Sequence, residues 1–444
     1  MKHNFKKGLS FILAVMVAVI TIMVQPFSTK AAETLDIKAD SAILVDVETG
    51  KILYSKNADQ ALPPASMTKM MTEYLVWEAI EKGDISWDTT TQISDYPYSI
   101  SANTSFSGVG LKQSQDYTVK DLYKAMAINS DNATTIALAE LIAGSEGEFV
   151  KMMNKKGKEM GLPDFKFVNS TGLDNASLGD NYPEGTDPNA TNLLSAESAA
   201  LLAYKLIKDY PEALDISSIP VTDFDGQKIR NWNHMLPHDT TFLKQFFYEG
   251  VDGLKTGYTD LAGYCFTGSA ERNGNRLISV VMKTGSEEER FQETAKLFDY
   301  GFSKFETKEL FPEGYQLKDE TTLPVAKGKE EKVNISTNKS VTIPVKSGQE
   351  KQYSIKYNLD KDKLNKEGEL LAPIKKGEKI GTAEVVSKGD KDYGYITKDK
   401  GNTIDLVTNE AVEKSNWFML TLGAIGDFFV DLFTTVVDWI KGLF

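Results

Sequence analysis

Cysteine and histidine are nearly absent. One cysteine, Cys265, and three histidines, at positions 3, 234 and 238, occur in 444 residues. A single cysteine excludes an internal disulfide. His234 and His238 stand four apart in "HMLPH". That stretch lacks the glutamate of a zinc-protease helix, and Pro237 disfavours the helix itself. Surface histidines are expected, and a Ser-His-Asp triad would have to use one of them. Cys265, between Tyr264 and Phe266 in an extended run, fits a buried structural thiol better than a nucleophile. Positive charge is also short: the net charge of -13 argues against nucleic acid as a partner. No convincing phosphate-binding loop, dinucleotide fingerprint or metal-ligand cluster is visible, so neither cofactor nor metal is expected.

Long apolar runs are confined to the two ends. Lys2, Lys6 and Lys7 precede an uncharged, mostly apolar run at 9–24 that Pro26 breaks. Thr29-Lys30-Ala31 places small residues where a signal peptidase reads, so 1–31 is expected to be an export signal. At the other end, Asn416, Asp427, Asp431, Thr434, Asp438 and Lys441 fall on one narrow helical stripe, and most of the rest is aromatic or aliphatic. A spanning helix would put Asp427 or Asp431 in hydrocarbon, at about 2.5–3.5 kcal/mol each. An amphipathic helix over 411–444, lying on the membrane surface, keeps those acids wet. Its polar side carries mainly Asp, so apolar burial must supply most of the binding.

Between the ends, "SAILVDVETGKILYSKNAD" alternates and turns near Thr49-Gly50, the pattern of a β-hairpin. Helices are expected at 66–81, 118–128, 132–143 and 195–207, with a long Gly/Asn/Asp/Pro-rich loop at 169–192. "EGVDGLKTGYT" is extended. "GYCFTGSAERNGNRLISVVMKTG" reads as two strands about an Asn273-Gly274 turn, and an acid-led helix follows. Two strands, a helical block, three strands and a last helix predict one antiparallel sheet assembled from distant pieces. Past about 305, short alternating runs split by polar turns indicate a small all-β domain without visible chemistry. The expected boundaries are 33–305, 306–410 and 411–444.

"PPASMTKMMTEYL" puts Ser66 three residues ahead of Lys69 on one face of a helix start. Serine needs a base, and lysine serves as one only when burial or a nearby cation depresses its pKa. A capping serine and a solvated lysine are the bland alternative. Met67, Met70, Met71, Tyr74, Leu75 and Trp77 clothe most of this helix, which disfavours a solvated lysine. Ser130-Asp131-Asn132 lies between two helices, and Lys255-Thr256-Gly257 on a strand. The order S-x-x-K, S-x-N, K-T-G is that of penicillin-binding proteins and serine β-lactamases. Decoys exist at Ser101-Ala102-Asn103, Ser336-Thr337-Asn338 and Lys283-Thr284-Gly285. They fail on context: Ser101 is expected in a loop, and Lys283 closes a hairpin arm.

These motifs, with "FVNSTGLD" and "VDGLKTGYTDLAGYCFTGSAERNGNRLISVV", resemble the low-molecular-mass D-alanyl-D-alanine carboxypeptidases of Gram-positive bacteria. The resemblance implies an α+β penicillin-binding/serine β-lactamase-like domain with an antiparallel sheet and helical subdomain, then the small all-β domain and the anchor helix. It implies an exported enzyme on the outer face of the cytoplasmic membrane. The substrate would be a peptidoglycan stem peptide ending in D-Ala-D-Ala, and β-lactams would be inhibitors. Ser66 would be the nucleophile and Lys69 its base. Ser130 and Asn132 would relay protons and hold the peptide. Lys255, Thr256 and Arg290 would bind the terminal carboxylate, with Gly257 in the same strand. The N–H groups of Ser66 and Tyr258 would form the oxyanion hole. Class A β-lactamases deacylate through a glutamate in an E-x-x-L-N loop, and no such string lies between Ser130 and Lys255. A related transpeptidase or endopeptidase, or a non-catalytic wall-binding protein, are the alternatives.

Overall fold

Alternating apolar residues in "SAILVD" make β1 (Ser41–Asp46), which runs antiparallel to β2 (Ile52–Lys56). The Asp46 carboxylate fixes the turn by accepting from the Thr49 N–H at 2.8 Å. The structure, a computed structural model, describes residues 35–389, 392–397 and 403–416, with four single positions at 434, 435, 437 and 441. The expected export signal and most of the helix expected at 411–444 lie outside the described residues; the described start of that helix, 411–416, is not helical, and Val412 pairs with Ile374. Among the described residues, no helix is long and apolar enough to cross a membrane.

Three further strands complete the sheet: β3 (Val251–Thr259), β4 (Gly263–Arg272) and β5 (Asn275–Thr284). The order is β2-β1-β5-β4-β3 with every pair antiparallel. Asn273 and Gly274 both adopt positive φ, 52° and 76°, as a tight hairpin turn requires. β1 pairs with β5, Leu44 opposite Ser279, so the sheet closes only when distant segments meet.

Both faces of the sheet are covered, which explains the uninterrupted burial of β1. Ile43 and Val45 enter the core shared with α1 (Lys69–Glu81) and a later helix, Ala196–Asp209. Leu44, on the opposite face, packs against Gly301 in the final helix, Glu287–Lys304. The helical block holds α2 (Val119–Lys124), α3 (Asn132–Ala143) and α4 (Glu146–Met160). With α1 as the first, Ala196–Asp209 is α5 and Glu287–Lys304 is α6. Thr118 caps α2 by accepting from the Asp121 N–H at 3.1 Å, as its sequence predicts. The single helix expected over 118–128 instead changes pitch: Ala125–Asn129 is a π-helix. α4 was not singled out in the sequence. Its many lysines and glutamates hide the stripe of Phe149, Val150 and Met153 that it buries.

Between Phe305 and Lys414 the described residues are mostly β. One two-stranded ribbon and a six-stranded sheet enclose Val333, Ile335, Ile343, Val345, Ile380, Ala383 and Leu406. Residues 392–397, in the connection between the last two strands of that sheet, return to the β1–β2 turn. The Ile396 N–H donates to the Gly50 carbonyl at 2.7 Å, and the Ile52 N–H to that of Gly394 at 3.0 Å. Lys51 pairs with Asp392 at 3.0 Å, and Ile396 is buried in the core of the first sheet. The β-rich part is therefore pinned to the rest at a second point besides its covalent junction.

Candidate active site

Pro64 and a 3₁₀ turn, Ala65–Thr68, lead into α1 and present Ser66 half-buried at the helix start. Lys69 lies one turn on and is fully buried. Its Nζ donates to Asn132 Oδ1 at 2.8 Å and to the Thr171 carbonyl at 2.7 Å, and lies 2.9 Å from Ser66 Oγ. The first two partners only accept, so they take two N–H bonds in any protonation state. When Nζ is neutral, its lone pair is left for Ser66. Burial, and then the positive charge of Lys255, hold the Lys69 pKa well below that of an ordinary lysine, against the pull of Asp131, Glu73 and Glu146. The arrangement is that of a general base beside its nucleophile.

Asn132 opens α3, and the residue before it, Asp131, is the cap. The Asp131 carboxylate accepts from the N–H groups of Thr134 and Val109, each at 2.6 Å. Ser130 ends the π-helix in the left-handed region, φ 61° and ψ 29°. Such a conformation is uncommon outside glycine. The extra residue of the π-turn re-aims the chain so that Ser130, Asp131 and Asn132 follow one another into the site. The Ser130 hydroxyl is buried and, among the described residues, has no hydrogen-bond partner, a state that buried polar groups seldom adopt without a functional reason.

The Thr171 carbonyl is held on Lys69 by Asn169. Asn169 Oδ1 accepts from the Gly172 N–H at 2.7 Å and from Asn192 Nδ2 at 2.8 Å, while its Nδ2 donates to the Leu173 carbonyl at 2.6 Å. Gly172 has φ +89°, and a Cβ there would lie 1.9 Å from the Ala65 carbonyl oxygen and 2.9 Å from the Ser66 nitrogen. Gly172→Ala is therefore expected to push the loop off the nucleophile turn. Misplacement on the ångström scale costs about a hundredfold in rate, so acylation by penicillin should fall by that factor with a lower melting temperature. Stopped-flow acylation at matched folded fraction checks this.

β3 closes the other side. Lys255 and Thr256 are buried, and Lys255 Nζ reaches the Thr256 carbonyl at 3.4 Å. Burial pulls the Lys255 pKa down to about 8, with Glu73 opposing the shift and Arg290 adding to it. Gly257 has a steric reason: a Cβ would stand 2.3 Å from the Pro64 carbonyl oxygen. Its absence lets the strand approach the Ser66 turn. Tyr258 is exposed, packs at a tilt against Tyr264 with centroids 4.4 Å apart, and donates its hydroxyl to Asp260. Arg290, on α6, is buried rather than solvated. It reaches the Gly257 carbonyl at 3.4 Å and Glu287 at 2.9 Å, and so lies behind the third motif.

Several expectations change. His238 is buried, with Nε2 2.8 Å from the Asn233 carbonyl, and His234 packs on Phe291 with centroids 5.2 Å apart. The surface placement expected of these histidines does not hold: His238 is buried, and His234 is half-buried against Phe246 and Phe291. Burial, then Arg290, lowers the His234 pKa to about 4. Ser101 does not lie in a loop: it ends a short helix, Asp95–Ser101, and accepts from the Leu111 N–H. Cys265 is buried, as expected, and burial raises its pKa to about 11. Glu73, Tyr123, Thr171 and Gly172 were missed as site residues. Glu73 carried one legible signal, a carboxylate four residues after Lys69 on a helix otherwise dressed in Met, Tyr and Leu.

Residues 28–286 match the D-alanyl-D-alanine carboxypeptidase family, and residues 305–414 match the penicillin-binding protein 5 C-terminal domain. The chain is 34% identical over 367 residues to the D-alanyl-D-alanine carboxypeptidase DacF of Bacillus subtilis, covering 81% of this chain and 85% of the relative. It is 31% identical to DacC of Escherichia coli, over 81% of this chain and 83% of that one. Among solved structures it is similar to a peptidoglycan synthesis regulatory factor (PBP3) from Streptococcus pneumoniae, with TM-score 0.67, 35% identity, and coverage of 85% of this chain and 100% of that one. A cefotaxime-bound penicillin-binding protein D2 from Listeria monocytogenes matches with TM-score 0.52 and 35% identity, over 60% of this chain and 98% of that one. With the three motifs gathered round one buried lysine, the matches place the chain in a single family: it belongs to the D-alanyl-D-alanine carboxypeptidases, with the penicillin-binding fold followed by an all-β domain.

Proposed function

We propose that this protein removes the terminal D-alanine from peptidoglycan stem pentapeptides through an acyl-enzyme on Ser66. The observation that carries the proposal is Lys69: wholly buried, two N–H bonds committed to acceptor-only partners, and Nζ 2.9 Å from Ser66 Oγ. Neutral Lys69 takes the Ser66 proton as Oγ attacks the carbonyl carbon between the two D-alanines. The N–H groups of Ser66 and Tyr258 receive the developing oxyanion. Ser130, whose hydroxyl is otherwise unpartnered, passes a proton to the departing D-alanine nitrogen as the C–N bond breaks. Lys255, with Thr256 and Arg290, supplies the positive charge that holds the terminal carboxylate. Water then cleaves the ester, releasing the shortened peptide and restoring Ser66.

A β-lactam presents a strained amide in the same place and acylates Ser66. The test is release of D-alanine from a stem pentapeptide by purified protein, with mass spectrometry mapping a penicillin adduct. Cross-linked product on adding an amine acceptor would instead favour transpeptidation.

The enzyme is exported, with 1–31 as the signal, and acts at the outer membrane face. Residues 33–305 carry catalysis and 306–410 hold the site off the membrane. Of the helix expected at 411–444, 411–414 belongs to the β-rich part, where Val412 pairs with Ile374 in its core, and the segment past Asn416 lies on the lipid surface through its apolar face. A chain ending at 415 is expected to stay in solution when mixed with phospholipid vesicles that sediment the longer protein. Equal sedimentation of both forms would reject the anchor.

A further inference from the structure

Three acids are buried near the two lysines of the site: Glu73, Asp131 and Glu146. Two of them have their charge absorbed by local donors. Asp131 accepts from the Thr134 and Val109 N–H groups, and Glu146 from the Ser170 N–H and hydroxyl and the Tyr96 hydroxyl. Glu73 differs. Among the described residues its carboxylate accepts one hydrogen bond, from the buried Tyr123 hydroxyl at 3.1 Å. The Tyr123 oxygen in turn accepts from Trp77 Nε1 at 2.8 Å, so the phenolic proton points to Glu73. Glu73 lies one helical turn beyond Lys69 on the same face of α1, and α1 packs on β3, which carries Lys255.

We propose that Glu73 is a positioning residue that sets how protons are shared between Lys69 and Lys255. The proposal rests on the carboxypeptidase reading, because that chemistry needs the two lysines in opposite states: Lys69 neutral to receive a proton, Lys255 cationic to hold a carboxylate. Two cations in a buried site repel each other, and Glu73 acts on both lysines: it opposes the lowering at Lys255, and at Lys69 it does so together with Asp131 and Glu146. The charged and titratable groups facing this centre are Lys69 on α1, Lys255 on β3, Tyr123 on α2, Asp131 before α3, Glu146 on α4 and Arg290 on α6. Burial raises the Glu73 pKa to about 7, with Lys255, the Tyr123 hydrogen bond and Lys69 pulling it back.

The test is the rate of Ser66 acylation by benzylpenicillin against pH, in the full chain and in Glu73→Gln. Loss of the anion lowers the pKa of both lysines. The ascending limb, which follows Lys69 losing its proton, and the descending limb, which follows Lys255 losing its own, should both move to lower pH by on the order of one pH unit. A purely structural role lowers the rate at every pH and moves neither limb, and that result overturns the proposal. Tyr123→Phe decides the matter if Glu73→Gln fails to fold. It keeps the carboxylate but removes the donor that favours its charged form, so both limbs should move the same way by less, and unmoved limbs overturn the proposal there too. Absence of any Ser66 adduct in the unaltered protein is a different result: it removes the carboxypeptidase reading and this proposal with it.

Discussion

Ser66→Ala is expected to fold normally, to release D-alanine at least roughly 10⁴-fold more slowly, and to give no penicillin adduct by intact-mass spectrometry. Folding survives because the packing of this turn rests on its neighbours. Met67 and Met70 are fully buried, Thr267 donates to Met67 Sδ at 3.2 Å, and Ser66 itself is half-exposed. Activity does not survive because the remaining parts of the site have nothing to do without an acyl acceptor. Ser130 holds an unpartnered hydroxyl but sits at a chain reversal, and Lys69 Nζ is 2.9 Å from Ser66 Oγ. Unchanged D-alanine release would sink the mechanism. An adduct that moved to Ser130 would reassign the nucleophile.

The parts of this fold legible in the sequence are those where a local pattern and its physical cause coincide. The two hairpins announce themselves by alternation and by Thr49-Gly50 and Asn273-Gly274, whose backbones do adopt the conformations that such turns need. The burial of Lys69 was readable from the residues around it, since a helix with Met, Tyr and Leu on most sides leaves a lysine nowhere wet. Lys283-Thr284-Gly285 could be set aside for a local reason as well. Lys283 ends β5 exposed and pairs loosely with Asp40 at 3.7 Å, far from the nucleophile turn in role if not in sequence pattern.

The illegible parts depend on distance. Nothing in "FVNSTGLD" says that the Thr171 carbonyl meets Lys69, because that contact spans 102 residues. Gly172 looks like an ordinary glycine, and Gly257 only like the last residue of a motif, until the Ala65 and Pro64 carbonyls are seen against them. The same holds for Glu73: on paper it is a helix carboxylate suited to a solvated pair, and only the arrival of α2 with Tyr123 makes it a buried one. The π-turn is invisible for another reason. One extra residue in "AMAIN" carries no compositional mark, yet it decides the direction in which Ser130 enters the site.

Lys69→Met and Lys69→Arg together separate the two roles a buried lysine could have. If Lys69 served only as a cation, arginine would keep much of the rate. As a base it must present a lone pair, and a guanidinium does not lose its proton in a protein. Both variants are therefore expected to acylate about 10²–10⁴-fold more slowly, the usual contribution of a positioned acid or base. The pH profile gives the finer test. In the unaltered protein, acylation rises as Lys69 loses its proton, at a pH well below that of a free lysine, and falls as Lys255 titrates near pH 8. In Lys69→Met the ascending limb has no group left to report and should vanish. The descending limb should persist close to its original position, because Lys69 is already neutral where Lys255 titrates and its replacement removes no cation. A surviving ascending limb would mean that another group, with Glu73 the first to examine, accepts the Ser66 proton.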